Sequence, residues 1–411
     1  MEKQIIFWFA AFSTLFSSGQ PLNVCDSCSF RTLKSAIFSS KDHDTIIVKA
    51  GSYKEYDIII DKPLTIIGEN LPTIDGEFKG SVITISADNV HLQGLRVLNV
   101  GTSYTEDFSA IRVRKSKYFL VRDMILENLF FGIYLEKSSE GSVINNKILG
   151  SALEEHNSGN GIQLWYSNHV EIVNNYVGHV RDGIYLEFSD DCLIRDNISS
   201  NNLRYGLHFM FSNDDIYENN IFSNNGAGVA VMFSKRIKMF GNQFQDNWGT
   251  AAYGMLLKEI NDAEIVGNTF QKNTVAINVE GSNRILYKNN NFNENGWAVK
   301  VRGACYENHF VENNFLYNSF DVVYNTKLNT NQFDRNYWSN YNGYDLNKDG
   351  IGDVAYRPVK LFSYVANRTP ETIILLRSLF MSLIDFSEKV SPVFTPDNLL
   401  DQNPSIRKIV W

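Results

Sequence analysis

The hydrophobic pattern of this chain repeats. A four-residue pattern recurs through most of the sequence: a small residue, an apolar residue, a variable residue and a second apolar residue, as in Gly132-Ile-Tyr-Leu135. The pattern begins at Ala110, Gly132, Gly161, Gly183, Gly206, Gly228, Gly254, Ala276, Ala298 and Asp321. Successive starts are separated by 22, 29, 22, 23, 22, 26, 22, 22 and 23 residues. Such a period is typical of a solenoid, in which each repeat packs only on its neighbours.

A second pattern keeps the same period: an asparagine two residues before an apolar residue. It occurs at Asn146, Asn175, Asn220, Asn242, Asn268, Asn290, Asn313 and Asn336, and at Asn197 with Ser199 in the apolar place. Leucine-rich repeats and parallel β-helices both have periods near this length. Between the anchors the apolar residues alternate with polar ones and show no helical spacing. This favours a β-helix with three short strands per coil.

The recurring asparagines are expected to build the scaffold. Identical amides stacked at the strand spacing hydrogen-bond along the ladder, and asparagine tolerates the left-handed backbone of a tight corner. We therefore predict an all-β fold, a right-handed parallel β-helix with an N-terminal helical cap and a short α-helical and extended C-terminal tail. The longer spacings before Gly161 and Gly254 predict loops that bulge from the stack.

The segments that flank the repeats differ from them in composition. The predicted organisation is a signal peptide (1–19), an N-terminal cap with a C-x-x-C pair (20–44), the β-helix with 22–23-residue coils (45–340), an Asp/Asn/Gly-rich closing loop (341–358), and a C-terminal amphipathic helix and arm (359–411). The signal peptide is inferred from an apolar run at residues 5–16 that is too short to span a bilayer. We expect an exported protein.

Cysteine usage fits an oxidising compartment. Cys25 and Cys28 form a close pair, for which a small disulfide loop is the leading interpretation and a metal or redox thiol pair the alternative. Cys192 and Cys305 are expected to be buried thiols. The chain has 411 residues and a formal net charge of −8, without a Lys/Arg-rich run. This balance argues against nucleic-acid binding.

The first candidate functional residues lie on the outer side of the repeat strands. Since the two apolar residues of each repeat point inward, His208 and Met210 are predicted to point outward, with Met232 one coil further on. Two thioethers and an imidazole suit Cu(I). An exposed apolar stripe is more often a surface for partner contact, which Phe211 and Phe233 beside it favour, and plain packing under a loop is a third alternative.

The closing loop contains half of a calcium-binding pattern. Asp345, Asn347, Asp349 and Asp353 place oxygen ligands at the spacing of a calcium loop, but Tyr356 stands where a bidentate glutamate belongs. The loop would bind Ca²⁺ weakly, or it is a turn that holds the last coil. The role is structural in either case.

A different class of function is an enzyme or a carbohydrate-binding protein. Asp190 and Asp191 lie about one coil before Asp214 and Asp215, with Arg195 and Arg204 nearby, and a row of Tyr134, Trp165 and Tyr185 is predicted to face outward. Paired carboxylates with a basic residue can cleave polysaccharides, and aromatic rows bind sugars. The aspartates occupy turns, where they are common for backbone reasons, so a non-enzymatic function is preferred.

The details of the sequence resemble the NosD family. The resemblance is carried by Cys25-Asp-Ser-Cys28, Gly51-Ser-Tyr53, Tyr205-Gly-Leu-His-Phe-Met210, Gly228-Val-Ala-Val-Met232-Phe-Ser, Tyr253-Gly-Met-Leu-Leu-Lys258, the segment 341–358, Thr369-Pro-Glu371, Leu375-Leu-Arg-Ser378 and Leu400-Asp401. It implies a periplasmic β-helix that works with an ABC transporter permease, its ATPase and a copper chaperone to assemble the copper sites of nitrous oxide reductase. Copper would be bound transiently or by the partners.

The resemblance also gives a role to the C-terminal segment. Thr369-Pro370-Glu371 has the features of a helix start, and residues 373–386 are apolar nearly all round but too short to span a membrane. Such a helix must be buried against the open end of the solenoid or against a membrane-embedded partner. Ile373, Leu376, Arg377 and Phe380 are the candidate contacts, through which the protein would associate peripherally with the membrane.

Overall fold

Three parallel sheets wind into a β-helix in the computed structural model, which describes residues 20–250, 252–324, 330–375, 378–390 and 399–411. The predicted signal peptide, residues 1–19, lies outside the described residues. In chain order the strands are β1 Leu22–Val24, β2 Thr45–Val48, β3 Ser52–Lys54, β4 Ile58–Ile60, β5 Thr65–Gly68, β6 Thr73–Asp75, β7 Ile83–Ile85, β8 His91–Gln93, β9 Arg96–Leu98, β10 Ser109–Arg114, β11 Leu120–Arg122, β12 Ile125–Glu127, β13 Phe131–Glu136, β14 Ser142–Ile144, β15 Lys147–Leu149, β16 Ile162–Trp165, β17 Glu171–Val173, β18 Tyr176–Gly178, β19 Ile184–Glu187, β20 Leu193–Arg195, β21 Ile198–Ser200, β22 Tyr205–Met210, β23 Ile216–Glu218, β24 Ile221–Ser223, β25 Ala227–Met232, β26 Lys238–Phe240, β27 Gln243–Gln245, β28 Tyr253–Lys258, β29 Asn261–Val266, β30 Thr269–Gln271, β31 Val275–Glu280, β32 Asn283–Lys288, β33 Asn291–Asn293, β34 Trp297–Arg302, β35 His309–Val311, β36 Asn314–Leu316, β37 Phe320–Tyr324, β38 Gln332–Asp334 and β39 Tyr337–Trp338.

Every third strand pairs with the next in the same sheet. Sheet A has 14 strands from β1 to β38, sheet B has 13 from β3 to β39, and sheet C has 12 from β4 to β37. The register between coils keeps equivalent residues together, so that Gly-Ile-x-Leu strands align in sheet C, as in Leu207 opposite Val229. The predicted all-β parallel β-helix is therefore confirmed.

The helices lie near the two ends of the chain and in one loop between coils. They are α1 Leu33–Ser39, a 3-10 helix Glu155–Asn157, α2 Leu361–Arg368, a 3-10 helix Pro370–Leu375 and α3 Leu379–Val390. Among the described residues, none of these helices has the length and apolarity that crossing a bilayer requires.

The asparagine ladder runs along the inside of one corner. From Asn146 to Asn336 each side-chain amide donates to the amide oxygen of the equivalent asparagine one coil further on, at 2.9 to 3.1 Å. Each oxygen also accepts from the backbone N–H of the preceding rung, as between Asn242 and Asn268 at 2.8 Å. These amides are almost fully buried. A second ladder of the same kind runs from Asn202 to Asn318.

Aromatic stacks fill the interior between the ladders. One stack continues through Phe222, Phe244, Phe270, Phe292, Phe315 and Trp338, with ring centroids 5.5, 4.5, 5.2, 4.8 and 4.0 Å apart. The small residue of the sheet C motif is required by close packing, because a Cβ at Gly206 would lie 2.7 Å from the carbonyl oxygen of Gly228. A larger side chain there would force the coils apart.

The N-terminal end is closed by α1. This helix buries Leu33, Ala36 and Ile37, and the Glu55 carboxylate accepts its first N–H groups, from Leu33 at 2.6 Å and from Lys34 at 3.0 Å. Cys25 and Cys28 form a disulfide, in a turn that brings Phe30 against β1. The first strand therefore lies inside the segment 20–44 that was predicted to hold only the cap.

The C-terminal segment is organised differently from the predicted helix and arm. Thr369 ends α2, donating its N–H to Val365 O at 2.9 Å, and it also opens the next helix, because its carbonyl accepts from the Thr372 N–H at 3.0 Å. Pro370 begins a 3-10 helix, and α3 follows only at Leu379. A helix therefore does start at Thr369-Pro370-Glu371, but it is a short 3-10 helix, and a further helix, α2, ends at the same threonine.

The chain then returns to the solenoid. Asp401 pairs with Phe333 and Ser405 with Tyr337, both parallel, which makes a partial further coil. The Asp401 carboxylate accepts from the amide of Asn336 at 3.1 Å, across 65 residues of sequence, and so forms the last rung of the asparagine ladder. Burial raises the pKa of this carboxyl. The helices are therefore an insertion held at both ends, and not a free tail.

Replacing one asparagine of the ladder should lower the stability of the solenoid. Asn242→Ala would leave the Tyr217 carbonyl and the Asn220 amide without their bonds at 2.9 and 3.0 Å. Since buried unsatisfied groups cost about 1–3 kcal/mol each, we expect a loss of about 3 kcal/mol, measured as a lower urea midpoint. Asn293→Ala, on the outer side of sheet B, is the control and should shift stability by less than about 0.5 kcal/mol. Equal shifts for both variants would contradict the structural role of the ladder.

Candidate functional site

The outer side of sheet C carries the predicted contact residues. In β22 the side chains of Leu207 and Phe209 are fully buried in the core, which leaves His208 and Met210 on the outer side. Met210 pairs in register with Met232 of β25, so the two thioethers are neighbours on adjacent coils. The proximity of the two methionine side chains follows directly from the period of the repeat.

A stack of exposed aromatic rings runs beside the two methionines. We call Tyr166, Phe188, Phe211 and Phe233 the aromatic stripe; their ring centroids lie 4.7, 5.1 and 5.2 Å apart in that order. Tyr166, Phe211 and Phe233 remain 47%, 39% and 38% exposed. Each stands two residues after the last buried residue of its strand, a position from which Tyr166 and Phe188 could also have been found in the sequence. An exposed apolar surface of this kind is typical of a contact site.

His208 does not share that exposed surface. Its imidazole lies between the rings of Tyr185 and Tyr205, with centroids 4.7 and 4.9 Å away, and only 8% of the side chain is exposed. Nδ1 faces the Asp182 carboxylate at 3.5 Å. His208 points away from the core, yet the tyrosines of its own and the preceding coil cover it. His208 is therefore packed under its neighbours and is not part of the exposed surface.

The carboxylate beside His208 belongs to a buried ion pair that the sequence analysis missed. Asp182 is fully buried and accepts from Arg204 Nε at 2.8 Å and from a second guanidinium nitrogen, and also from the Tyr205 N–H at 3.3 Å. Burial alone would raise the pKa of Asp182, but the hydrogen bonds of Arg204 overcome this and lower it. Arg204 in turn stacks on the Tyr205 ring at 5.0 Å.

The three candidate copper ligands do not by themselves form a complete metal site. The described residues contain no group of three His, Cys, Asp or Glu side chains that could hold a metal ion. Of the three candidate ligands, Met210 and Met232 adjoin each other, whereas His208 makes its contacts with Asp182 and the tyrosines. Two thioethers can contribute to a Cu(I) site, but a stable site needs further ligands from elsewhere.

The predicted calcium loop is held by its own backbone. The Asp345 carboxylate accepts the N–H groups of Lys348 and Gly350 at 2.6 and 2.9 Å, and Asp353 accepts from Leu346 at 2.7 Å. Asn347 donates to Asp349 at 3.0 Å. These bonds fold a turn at the closing end of the solenoid. Calcium binding by this loop stays a prediction.

The carboxylates proposed for an enzyme do not converge among the described residues. Asp215 is buried and accepts from Tyr217 OH at 3.0 Å and from the Cys192 N–H at 2.8 Å, while Asp214 pairs with Arg236 on the surface. The aromatic row is also broken. Tyr134 and Tyr185 align through Gln163, whereas Trp165 occupies a different column beside Glu136 and Glu187.

A second exposed apolar surface lies on the C-terminal helices. Phe362 and Ala366 of α2 pack on Val275, Trp297 and Phe320 on the outer side of sheet C, and Met381 and Ile384 of α3 join them. The other side of α3 presents Leu379, Leu383 and Phe386, which are 77%, 58% and 66% exposed. We call these three residues the helical face; their spacing places them on one side of the helix.

Two of the four predicted docking residues lie among the described residues. Ile373 and Phe380 are 41% and 53% exposed. Leu376 and Arg377 lie outside the described residues. The predicted alternative, in which the helix of residues 373–386 covers the open end of the solenoid, stays a prediction; Met381 and Ile384 of α3 pack with α2 on the side of sheet C.

Comparison with known proteins gives these surfaces a family context. A family model described as "Periplasmic copper-binding protein (NosD)" matches residues 144–343. A protein of Pseudomonas aeruginosa called "Probable ABC transporter binding protein NosD" is 29% identical over 377 residues, 87% of each chain. Residues 144–343 therefore match the NosD family, and the likeness to a NosD protein extends over most of the chain. A second NosD protein, from Stutzerimonas stutzeri and of the same description, is 28% identical and is covered over 86% of its length.

Solved structures show the same architecture in proteins of other function. The catalytic unit of an α-1,3-glucanase from Streptomyces thermodiastaticus superposes with a TM-score of 0.57 at 14% identity, covering 74% of this chain and 65% of that one. At this identity the likeness shows the fold alone. Enzymes thus share the β-helix, whereas the curated NosD relatives are named as binding proteins.

The buried pair Asp182–Arg204 predicts a local stability effect. Asp182→Ala leaves the guanidinium without its partner in a mostly buried place, and we expect a loss of about 1–3 kcal/mol. The matched control is Asp214→Ala, which breaks an exposed pair with Arg236 and should cost less than about 1 kcal/mol. Urea midpoints measured at one pH give both values. If the two variants lose the same stability, the buried pair does not organise this part of sheet C.

Proposed function

We propose that this chain is an exported periplasmic accessory protein of nitrous oxide reductase maturation. It would dock an ABC transporter permease with its ATPase and a copper chaperone, so that the copper sites of the reductase are assembled, and it would not itself be an enzyme. The names of the two curated relatives and the family description support the transporter and copper parts of this proposal. Export would rest on the signal peptide at residues 1–19, after whose removal the mature chain would begin in the cap.

The observation that carries the proposal is the helical face. Three large apolar side chains lie on one side of α3, while Met381 and Ile384 on the opposite side are partly buried against α2 and sheet C. Because both ends of the insertion are fixed to the solenoid, the face is presented in one place. A contiguous exposed apolar surface in an exported protein is explained by a partner that covers it. We assign this surface to the permease.

The methionines and the aromatic stripe would form the second contact. Met210 and Met232 offer two soft ligands at the rim of an apolar surface, and a chaperone or the reductase would supply the remaining ligands. Copper would then pass between partners at this place and would not be stored. His208 would act through its packing beneath the rim.

A polysaccharide-binding or polysaccharide-cleaving function is the alternative. It is supported by the shared fold with glycan-active enzymes, which is a likeness of fold alone. The proposed catalytic carboxylates are separated into a buried hydrogen-bonded aspartate and surface ion pairs, as described above. No further observation favours this alternative, and the maturation role is preferred.

The docking role predicts loss of the transporter on substitution of the helical face. We expect Leu379→Ser/Leu383→Ser/Phe386→Ser to reduce recovery of an ABC permease, in a pull-down from solubilised membranes, by about tenfold or more, since buried apolar anchors dominate interfaces. Phe38→Ser, at an 88% exposed position on α1, is the matched control. Substitution is preferable to deletion of 371–411, because that deletion would also remove Asp401 from the last coil.

If the triple serine variant recovers the permease as well as the Phe38→Ser control does, α3 is not the docking element. Recovery by neither, with both proteins folded by circular dichroism, would point to a general loss of association. Copper quantified in the same eluates reports separately on the copper part of the proposal.

The methionine pair predicts a change in Cu(I) affinity. Met210→Leu/Met232→Leu keeps the volume and apolar character of both side chains but removes the sulfur ligands. In a competition titration with a chromogenic Cu(I) chelator, we expect the double variant to bind at least about tenfold more weakly than the unaltered protein. Met381→Leu, in the cluster beneath the helices, is the control. An unchanged affinity of the double variant would leave the pair with a contact role only.

A further inference from the structure

The outer side of sheet B carries a strip of uncharged polar residues. We call it the amide strip; its members are Gln243, Gln245, Thr269, Gln271, Asn291 and Asn293, the outward residues of β27, β30 and β33. None of the six is charged. On the same coils of sheet A the outward residues include Lys238, Glu264 and Lys288. Depletion of charge at a surface is a property of interface centres.

The chain itself shows what this side of sheet B binds. Its C-terminal segment passes from Ser405, beside Tyr337, down to Ile409. There the Asn314 side chain donates to Ile409 O at 3.0 Å and accepts from Ile409 N at 2.9 Å. A side-chain amide that satisfies both backbone groups of one residue recognises extended peptide without regard to its side chain.

The amide strip continues this contact to the preceding coils. Asn314 also donates to Asn291 Oδ1 at 3.0 Å, so the residue that holds the tail is bonded directly to the strip. Among the described residues, the side chains of Thr269, Gln271 and Asn293 have no hydrogen-bond partner. A groove of about 470 Å³ lies at this place, lined by Thr269, Asn291, Asn293, Leu316, Tyr317, Tyr337 and Lys408.

We infer that the amide strip is a binding site for an extended peptide segment of a partner protein, recognised through its backbone. The segment would cross the strands of sheet B as the tail does at Asn314. Three observations support this occupant: the mode in which the tail is bound, the continuity of the strip with that contact, and the absence of charged residues among the six members of the strip. Strands are about 4.8 Å apart, so the three strands of the strip offer amides to about three or four peptide residues.

The site is separate from the surfaces assigned to the permease and to copper. Both of those surfaces belong to the outer side of sheet C, whereas the strip lies on sheet B. The inference therefore does not depend on the proposed function, and either can fail without the other.

The test uses the full chain and a fluorescein-labelled heptapeptide, Ser-Ile-Arg-Lys-Ile-Val-Trp, which copies residues 405–411. We expect binding by fluorescence anisotropy with a dissociation constant of about 0.1–1 mM, as for a few peptide hydrogen bonds. Thr269→Ala/Asn293→Ala should weaken it by about tenfold, because it removes side-chain partners but leaves Asn314 in place. Gln93→Ala, on the outer side of sheet A, is the matched control and should leave binding unchanged.

A second peptide with N-methyl groups at alternate residues separates backbone recognition from simple apolar contact. It cannot donate the backbone hydrogen bonds, and we expect it to bind at least about tenfold more weakly. The inference is overturned if the unmodified peptide shows no binding at about 2 mM, if the double variant binds it as well as the unaltered protein, or if both peptides bind equally. Binding of maltohexaose, with no binding of the peptide, would assign the strip to carbohydrate and would equally overturn it.

Discussion

The bond between one buried asparagine and the next is the interaction on which this structure depends. Each amide of the ladder satisfies the amide and the backbone of its neighbour, so a coil is fully bonded only when another coil lies on it. In a low-dielectric interior an interrupted chain of such bonds is costly. The stack must therefore be continued or closed. Asp401 closes it, since a carboxylate accepts from Asn336 and has no amide group left to satisfy.

This constraint determines where variation is tolerated. The side chains that point into the solenoid form the asparagine ladders and the aromatic stacks. Residues that contact partners must therefore lie on the outer sides of the sheets or in insertions between coils. The helical insertion is the largest of these. It leaves after the last regular coil and returns with Asp401, and its α2 packs on the side of sheet C beside Trp297 and Phe320. A rigid solenoid thus presents an apolar helix at a fixed position.

The repeat made the fold predictable, and its interruption limited the prediction. Coil register, the asparagine ladder and the pairing of Met210 with Met232 all follow from a local period. Asp401 was missed because 65 residues separate it from the rung below. Asp182 and Arg204 meet across a coil without any recurring motif to mark them. His208 was placed on the outer side, but the tyrosines that cover it come from neighbouring positions whose packing the period does not specify.

The helical face of α3 is proposed to contact an ABC permease. The most direct measurement places a photo-crosslinking amino acid at Phe386 of the full chain, irradiates native membranes and identifies the adduct by mass spectrometry. The same substitution at Phe38, at the other end of the solenoid, reports chance encounters. If the proposal is correct, a permease adduct forms from position 386 and none forms from position 38. Adducts from position 386 that contain only lipid or only other periplasmic proteins would contradict it.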